Sequence, residues 1–245
     1  MRLDMEFAKY AVFCGSLAVM ALGLAREAMV LQIGTQTLLQ DLRQFDLDAE
    51  NSVPAWWSAS MLLAASLSFY VLAARAHTAR ASVWRLWLIL SLAFLLLSID
   101  EAASFHEGAI APLRAAFGFS GAFFYAWTVP ALVCLGVFGA AILPLLRHVP
   151  RALLWRMVTA GAVFVAGALG MEMVGGWLDY EGLRGTRWYA VSISIEEGCE
   201  ILGVTLLLAA LFDALAGRYA TTASRAPGRA RPAPAISAYP AAGAD

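Results

Sequence analysis

Acidic residues that could bind a cation occur in three short segments of an otherwise apolar chain. Residues 98–107 read SIDEAASFHE, residues 170–173 read GMEM, and residues 195–200 read IEEGCE. Carboxylate oxygens are preferred ligands of Mg²⁺, Ca²⁺ and Mn²⁺, and one imidazole among them favours a transition metal. Because an ionised acid inside a membrane is costly, each of these acids needs a proton, an arginine or a metal ion to neutralise it.

The acids of residues 195–200 are spaced to lie together on a helix. Glu196 and Glu200 are four residues apart, and Glu197 and Glu200 are three apart, so Glu200 is adjacent to both. Glu172 stands alone between apolar neighbours, and solvation by water explains it least well. It therefore discriminates best between a buried cation site and ordinary solvated charge.

The segment at residues 98–107 combines two acids with a histidine. Asp100 and Glu107 are seven residues apart, nearly two helical turns, and share a face if the helix continues that far. His106 then points away from Asp100, unless the helix unwinds after Ala103. The local fold of this segment therefore decides whether the imidazole joins the acids.

We expect a divalent metal ion, with iron, Mn²⁺, Mg²⁺ or Ca²⁺ favoured over Zn²⁺. Catalytic zinc usually takes two or three histidines, whereas the chain has three in all and two of them, His77 and His148, are predicted on the opposite side of the membrane. In a metal-dependent membrane enzyme, a lipid or isoprenoid substrate would enter laterally. The predicted ligands are Asp100, Glu172, Glu197 and Glu200, the predicted acid–base residues are His106 and Glu107, and Glu101 and Glu196 complete the cluster.

Three other interpretations stay open at this point. The acids could relay protons or cations in a transporter, with Glu172 and Glu200 carrying the exchanged ion. They could be structural, facing water or pairing with arginines of the same side, namely Arg114, Arg184 and Arg187. The chain could also be a non-catalytic subunit of a larger membrane complex.

Other acids are assigned to ordinary solvated charge because they lie in predicted loops. These are Glu27, Asp41, Asp46, Asp48, Glu50, Asp179 and Glu181.

The elements that must position the three segments are membrane-spanning helices. Of 245 residues, 61% are hydrophobic and only 14% are charged, whereas a soluble domain is nearer half and a quarter. A span needs about 20 apolar residues, and the sequence predicts six, at residues 8–25, 55–75, 83–99, 119–146, 155–178 and 188–215. The third is short, which predicts that its helix continues past Ser98. The sequence therefore predicts an all-α polytopic bundle.

Two features bear on how the spans pack. Pro130 falls inside the fourth predicted span and is expected to kink it. Small residues at helical spacing in the fifth span, Ala162, Ala166 and Gly170, predict close packing within the bundle or a docking face for a membrane-protein partner.

Charge predicts the orientation. With six spans, the side holding both termini has twelve Lys or Arg and four acids, and the other has five Arg and fourteen acids. The positive-inside rule then places both termini in the cytoplasm. Spans three and five run outward and span six runs inward, so topology brings all three acidic segments to the outer leaflet.

Two regions lie outside the predicted spans. Residues 26–54 are expected to contain a short amphipathic helix around Leu38, Leu39, Leu42 and Leu47 on the outer surface. Residues 1–216 form the predicted transmembrane domain, and residues 217–245, rich in Ala, Pro and Arg, a disordered cytoplasmic tail.

The lipid bilayer is the expected partner, and a net charge of −1 argues against nucleic acid. The pattern Ser-Ile-Asp-Glu-x4-His-Glu from Ser98, with the Glu172 segment and Glu-Glu-x2-Glu-x2-Gly from Glu196, resembles a group of bacterial multi-pass inner-membrane proteins of uncharacterised activity. The resemblance covers roughly residues 55–215. It implies a bacterial inner membrane and supplies no activity.

Overall fold

The computed structural model of the protein describes residues 2–34 and 40–219, which fold into helices joined by short connections. The α-helices are α1 (Arg2–Ile33), α2 (Val53–Thr78), α3 (Trp84–Ala103), α4 (Phe105–Phe117), α5 (Thr128–Leu146), α6 (Arg151–Val165), α7 (Glu172–Tyr180) and α8 (Arg187–Leu215). A π-helical turn, Ala166–Met171, joins α6 to α7, and short 3₁₀ helices lie at Gln40–Phe45 and Gly121–Phe123.

Six helical segments are long and apolar enough to cross a membrane. They are Asp4–Ile33, Val53–Thr78, Trp84–Ala103, Thr128–Leu146, Arg151–Tyr180 and Arg187–Leu215. The predicted all-α polytopic bundle is therefore confirmed, as is the extension of the third helix past Ser98. The fifth span combines α6, the π-helical turn and α7.

Helix α8 lies at the centre of the bundle and contacts α1, α2 and α6. The side chains of Phe69, Leu208 and Leu211 are fully buried around it. At Gly203 of α8 an added Cβ would lie 2.7 Å from the backbone nitrogen of Phe164, so only glycine allows α6 to approach this closely. Helix α5 is peripheral, with one buried residue at its N-terminus.

The beginning of α1 and the end of α8 lie at the same end of the bundle. Lys9 Nζ is 2.8 Å from Asp213 Oδ1, and Arg75 Nη1 of α2 donates to the Leu215 carbonyl at 2.7 Å. We call this the terminal end. The presence of both chain ends on one side agrees with an even number of spans. The assignment of this end to the cytoplasm stays a prediction.

Asp213 is the centre of an ion-pair cluster at the terminal end. Its side chain is only 8% exposed, and its two oxygens accept from Lys9 at 2.8 Å, Arg156 at 2.7 Å and Arg218 at 2.9 Å. Three cations therefore surround one buried carboxylate.

The fourth span differs from its prediction. Residues 119–127 form a turn around the short 3₁₀ helix Gly121–Phe123 rather than an α-helix, and α5 begins at Thr128. Pro130 therefore lies in the first helical turn, where a backbone N–H would have no partner within the helix, and the predicted kink is wrong. The proline inside α5 is Pro144.

The small residues of the fifth span do not pack within the bundle. Ala162, Ala166 and Gly170 are exposed, whereas the contact with α8 runs through Phe164 and Gly167 on the other face. The expected close packing through these three residues is therefore wrong.

The long outer connection is only partly helical. Its described part contains the 3₁₀ helix Gln40–Phe45 followed by Leu47, which is buried against Gly23 of α1. Leu38 and Leu39 of the predicted amphipathic helix, and residues 220–245 of the predicted tail, lie outside the described residues. A different helix, α4, lies on the exterior of the bundle. It has no buried residue and exposes Phe105 and Phe117.

Candidate metal centre

A cavity of about 120 Å³ lies at the end of the bundle opposite the termini. Its wall combines parts of α2, α3, α4, α6, α7 and α8 with the π-helical turn and the connections before α2 and α5. The cavity is large enough for an ion together with water molecules. Nine carboxyl groups line it: Asp48, Glu50, Asp100, Glu101, Glu107, Glu172, Glu196, Glu197 and Glu200. His106 and Trp127 are the other polar side chains in the wall. The structure thus brings together every site residue named from the sequence.

The cavity wall contains no Lys or Arg among the described residues. Of the three arginines considered as structural partners, Arg114 lies over the Phe124 ring and Arg187 over the Trp188 ring. Arg184 alone reaches a cavity acid, Asp48, at 3.3 Å. Arginine pairing therefore does not neutralise the acids of α3, α7 and α8 within the part of the chain that the structure describes.

His106 turns toward Asp100 because the helix does unwind after Ala103. Ser104 adopts a left-handed conformation with φ of 55°, which ends α3 and starts α4 in a new direction. The Asp100 carboxylate then accepts from the His106 backbone N–H at 3.1 Å and contacts the imidazole Nδ1 at 2.9 Å.

Burial and a charged partner act in opposite directions on this imidazole. Burial lowers the pKa of His106, but the hydrogen bond and the negative charge of Asp100 outweigh it, and the pKa lies above its ordinary value. Nδ1 is held by Asp100, which leaves Nε2 as the nitrogen that could bind a metal ion.

Glu50, His106 and Glu107 form a group whose ligand atoms lie within 4.8 Å of one another. We call these three residues the outer group. Burial raises the pKa of Glu107, and the neighbouring Glu50 adds to this increase. One imidazole with two carboxylates suits a transition metal better than calcium.

Glu50, predicted as a solvated charge of a loop, lies half-buried in the cavity wall. Glu50 precedes Ser52, whose side chain caps α2 by accepting from the Ala55 N–H at 3.2 Å. It therefore sits just before the start of a span that runs toward the terminal end, at the depth of the other acids. The position of the second span in the sequence is the signal that could have identified it.

The remaining acids lie deeper, on α7 and α8. Trp127 Nε1 donates to Glu172 Oε1 at 2.7 Å, which fixes this carboxylate at the cavity wall. Glu196 is 7% exposed, and its Oε2 has no hydrogen-bond partner among the described residues. We call Glu172, Glu196 and Glu200 the inner group.

Two backbone features bring the inner group together. The π-helical turn ends at Met171, directly before Glu172. Gly167 within it packs on α8: an added Cβ would lie 2.7 Å from the Glu196 carbonyl oxygen and 3.0 Å from Glu200 Cγ. The fifth and sixth spans can approach this closely only because residue 167 lacks a side chain.

A hydrogen-bonded network lies beside the cavity. The Tyr189 hydroxyl donates to Asp48 at 3.1 Å and contacts the Tyr125 hydroxyl at 3.0 Å, and Tyr125 donates to Asp179 at 3.0 Å. Burial raises the pKa of Asp48 to about 6, although Arg184 and Tyr189 act in the opposite direction. Asp48 and Asp179 are therefore hydrogen-bonded groups. The assignment to solvated charge is wrong for the half-buried Asp179, whereas Asp48 is also exposed to solvent, as that assignment predicts.

The same correction applies to two acids near the first span. Glu27 and Asp46 pair with the buried Arg26 at 2.6 Å and 2.8 Å. Glu181 is exposed as expected, and the side chain of Asp41 lies outside the described residues.

A family model described as a domain of unknown function, DUF8692, matches residues 13–215. The match includes five of the six spans in full, the first span from residue 13 onward, and every residue that lines the cavity. No curated protein and no solved structure matches the chain. The functional argument therefore depends on the site.

Proposed function

The chain belongs to the DUF8692 family, and from its site we propose that it binds a divalent metal ion in the acidic cavity. The observation that carries the proposal is the outer group, in which one imidazole and two carboxylates can reach a common point. Asp100 supports the proposal through its contact with His106 Nδ1, since a carboxylate on the second ring nitrogen is the usual partner of a metal-bound histidine.

The donor set favours Mn²⁺ or Fe²⁺ over Zn²⁺, because the site has one imidazole and an excess of carboxylates. Asp48 and Glu101 adjoin the outer group without belonging to it. In this arrangement His106 and Glu107 are ligands rather than acid–base residues, and Glu101 becomes the candidate proton acceptor.

We place the cavity on the outer side of a bacterial inner membrane, on the basis of the charge asymmetry of the loops. A bound divalent ion lowers the pKa of a coordinated water and polarises a phosphoryl or carbonyl oxygen. Phe105 of α4 is exposed directly beside the ligand His106. An apolar side chain at that position suits a lipid or isoprenoid substrate whose head group reaches the metal ion.

Equilibrium dialysis of the purified protein against a series of MnCl₂ concentrations, with elemental analysis of the bound metal, tests the proposal. We expect bound metal in the wild type and a loss of at least tenfold in affinity in His106→Ala and Glu50→Gln. Glu181→Gln, an exposed outer acid, is the matched control and should bind as the wild type does. A wild type that binds no metal, or outer-group variants that bind normally, would contradict the proposal.

Cation transport is the second candidate, favoured by the range of depths that the acids cover. They extend from the exposed Glu107 to Glu200 inside a spanning helix, and below Glu200 the core is closed by Ile201, Leu62 and Leu208. Flux of Mn²⁺ into proteoliposomes separates the two. Uptake that depends on Glu200 would favour a transporter, and retention of metal without flux would favour an enzyme.

A further inference from the structure

The number of acids in the cavity exceeds what one ion can neutralise. Nine carboxyl groups line the cavity, and among the described residues its wall contains no Lys or Arg. A single divalent ion compensates only two negative charges. The outer group uses only Glu50 and Glu107 of these nine. The acids of α7 and α8 therefore need a counterion of their own or must hold protons.

Glu196 is the residue that points to a second ion. It is more than nine-tenths buried, it lines the cavity, and Oε2 is without a hydrogen-bond partner in the described part of the chain. A buried carboxylate oxygen of this kind is expensive unless something binds it. Protein groups satisfy both oxygens of the comparable buried acid Asp213, so an unpartnered carboxyl oxygen like that of Glu196 is not a general property of the buried acids of this bundle.

The two nearest acids lie on the correct elements to share an ion with Glu196. Glu200 follows one turn later on the same face of α8. Glu172 stands opposite on α7, where Trp127 donates to its Oε1 and its carboxyl group lies within hydrogen-bond reach of the Glu196 carboxyl group. The two carboxyl groups can therefore share a proton or a cation. Gly167 holds the fifth span against α8 at this level.

We propose that the cavity binds two divalent cations, and that the second lies deeper in the bundle between Glu172, Glu196 and Glu200. This inference rests on the proposed function, since both ions occupy one cavity. The inner group offers carboxylates alone and therefore takes a hard cation such as Mn²⁺, Mg²⁺ or Ca²⁺. The outer group includes His106 and selects more strongly for a transition metal.

Equilibrium dialysis of the metal-free full-length protein against MnCl₂ counts the ions. We expect two Mn²⁺ per wild-type chain, one in Glu196→Gln and one in His106→Ala. Glu181→Gln should keep both. The ion that each variant retains shows that its cavity is folded. Competition with CaCl₂ should displace Mn²⁺ from His106→Ala more readily than from Glu196→Gln, because only the latter keeps the imidazole.

The outcomes separate this inference from the proposed function. One Mn²⁺ in the wild type that His106→Ala removes would overturn the second ion and leave the proposed function intact, whereas no Mn²⁺ would overturn both. Two Mn²⁺ bound to Glu196→Gln would also overturn the assignment of the second ion to the inner group. The same holds if Glu196→Gln or His106→Ala binds no Mn²⁺ although its helicity equals that of the wild type. If Glu196→Gln does not fold, Glu172→Gln replaces it with the same expectations.

Discussion

The two ends of the bundle treat buried carboxylates in opposite ways. At the terminal end, Asp213 is surrounded by Lys9, Arg156 and Arg218, so one acid has three cations. At the cavity end, nine acids have one imidazole and, among the described residues, a single arginine contact at Asp48. In the described part of the chain, Lys and Arg side chains thus neutralise a buried acid at one end of this bundle but not at the other. The acids of the cavity therefore differ from Asp213 in their arrangement: they surround an open space, whereas Asp213 is surrounded by cationic side chains.

The largest expected effect on folding comes from the terminal end. Asp213→Asn should lower the free energy of unfolding by about 2 kcal/mol, because the three cations lose the negative charge that they share and one of the two acceptor oxygens becomes an NH₂ group. Thermal unfolding in detergent measures this change. The three cations are partly solvated, which keeps the loss below that of a fully buried pair. An unchanged melting temperature would show that the cluster is not structural and would remove the contrast between the two ends.

Asp100→Asn tests whether a carboxylate of the cavity that is not itself a metal ligand affects metal binding through His106. The affinity for Mn²⁺ should fall about 10- to 100-fold, because the imidazole of His106 loses the acceptor that orients it and raises its basicity. Dialysis against MnCl₂ measures the change, with the melting temperature of the metal-free protein as the control. A loss of stability in place of affinity would make Asp100 a structural residue.

Glu196→Gln applies the same chemical change as Asp213→Asn to the opposite end. In the metal-free protein it should leave the free energy of unfolding unchanged or raise it by up to about 1 kcal/mol, because a neutral amide replaces a buried acid that lies beside Glu172 and Glu200 and has no cationic partner among the described residues. Added MnCl₂ should stabilise the wild type more than the variant. Destabilisation as large as that of Asp213→Asn would contradict the distinction between the two ends.

The smallest effect is a pH dependence at Asp48. Its pKa of about 6 lies above the ordinary value, so the folded protein keeps this proton until the pH passes about 6. The groups that face it are Arg184, Tyr189 and Asp46. The ratio of wild-type to Asp48→Asn affinity for Mn²⁺ should therefore rise as the pH increases through about 6, since only the wild type gains a negative charge. A flat ratio between pH 5 and 7.5 would show that Asp48 does not influence the ion.

Hydropathy and topology predicted the elements and their meeting point. Six apolar segments and the alternation of their directions were sufficient to bring Asp100, Glu172 and Glu200 to one end, because a spanning helix has only two ends. The arrangement within that end depends on backbone details that periodicity does not encode. The left-handed Ser104, which turns His106 onto Asp100, is one of them.

Loop residues were the least predictable part. Asp48 and Glu50 look like solvated charge because their neighbours in sequence are polar, yet the chain before α2 folds over the bundle end through the buried Leu47. Pro130 was misplaced for a similar reason, since the apolar residues 119–127 read as helix but form a turn. In both regions tertiary packing overrides the local pattern.

The π-helical turn Ala166–Met171 gives the fifth span one place that tolerates a change in chain length. A π-helical turn corresponds to one residue more than an α-helix needs over the same length. Deletion of a single residue within this turn would therefore restore α-helical geometry and leave the direction of Glu172 relative to α6 nearly unchanged. In a continuous α-helix the same deletion would rotate every later residue by about 100° about the helix axis. The span would still be long enough for the bilayer, so an in-frame deletion of three nucleotides at this turn is expected to keep Glu172 at the cavity.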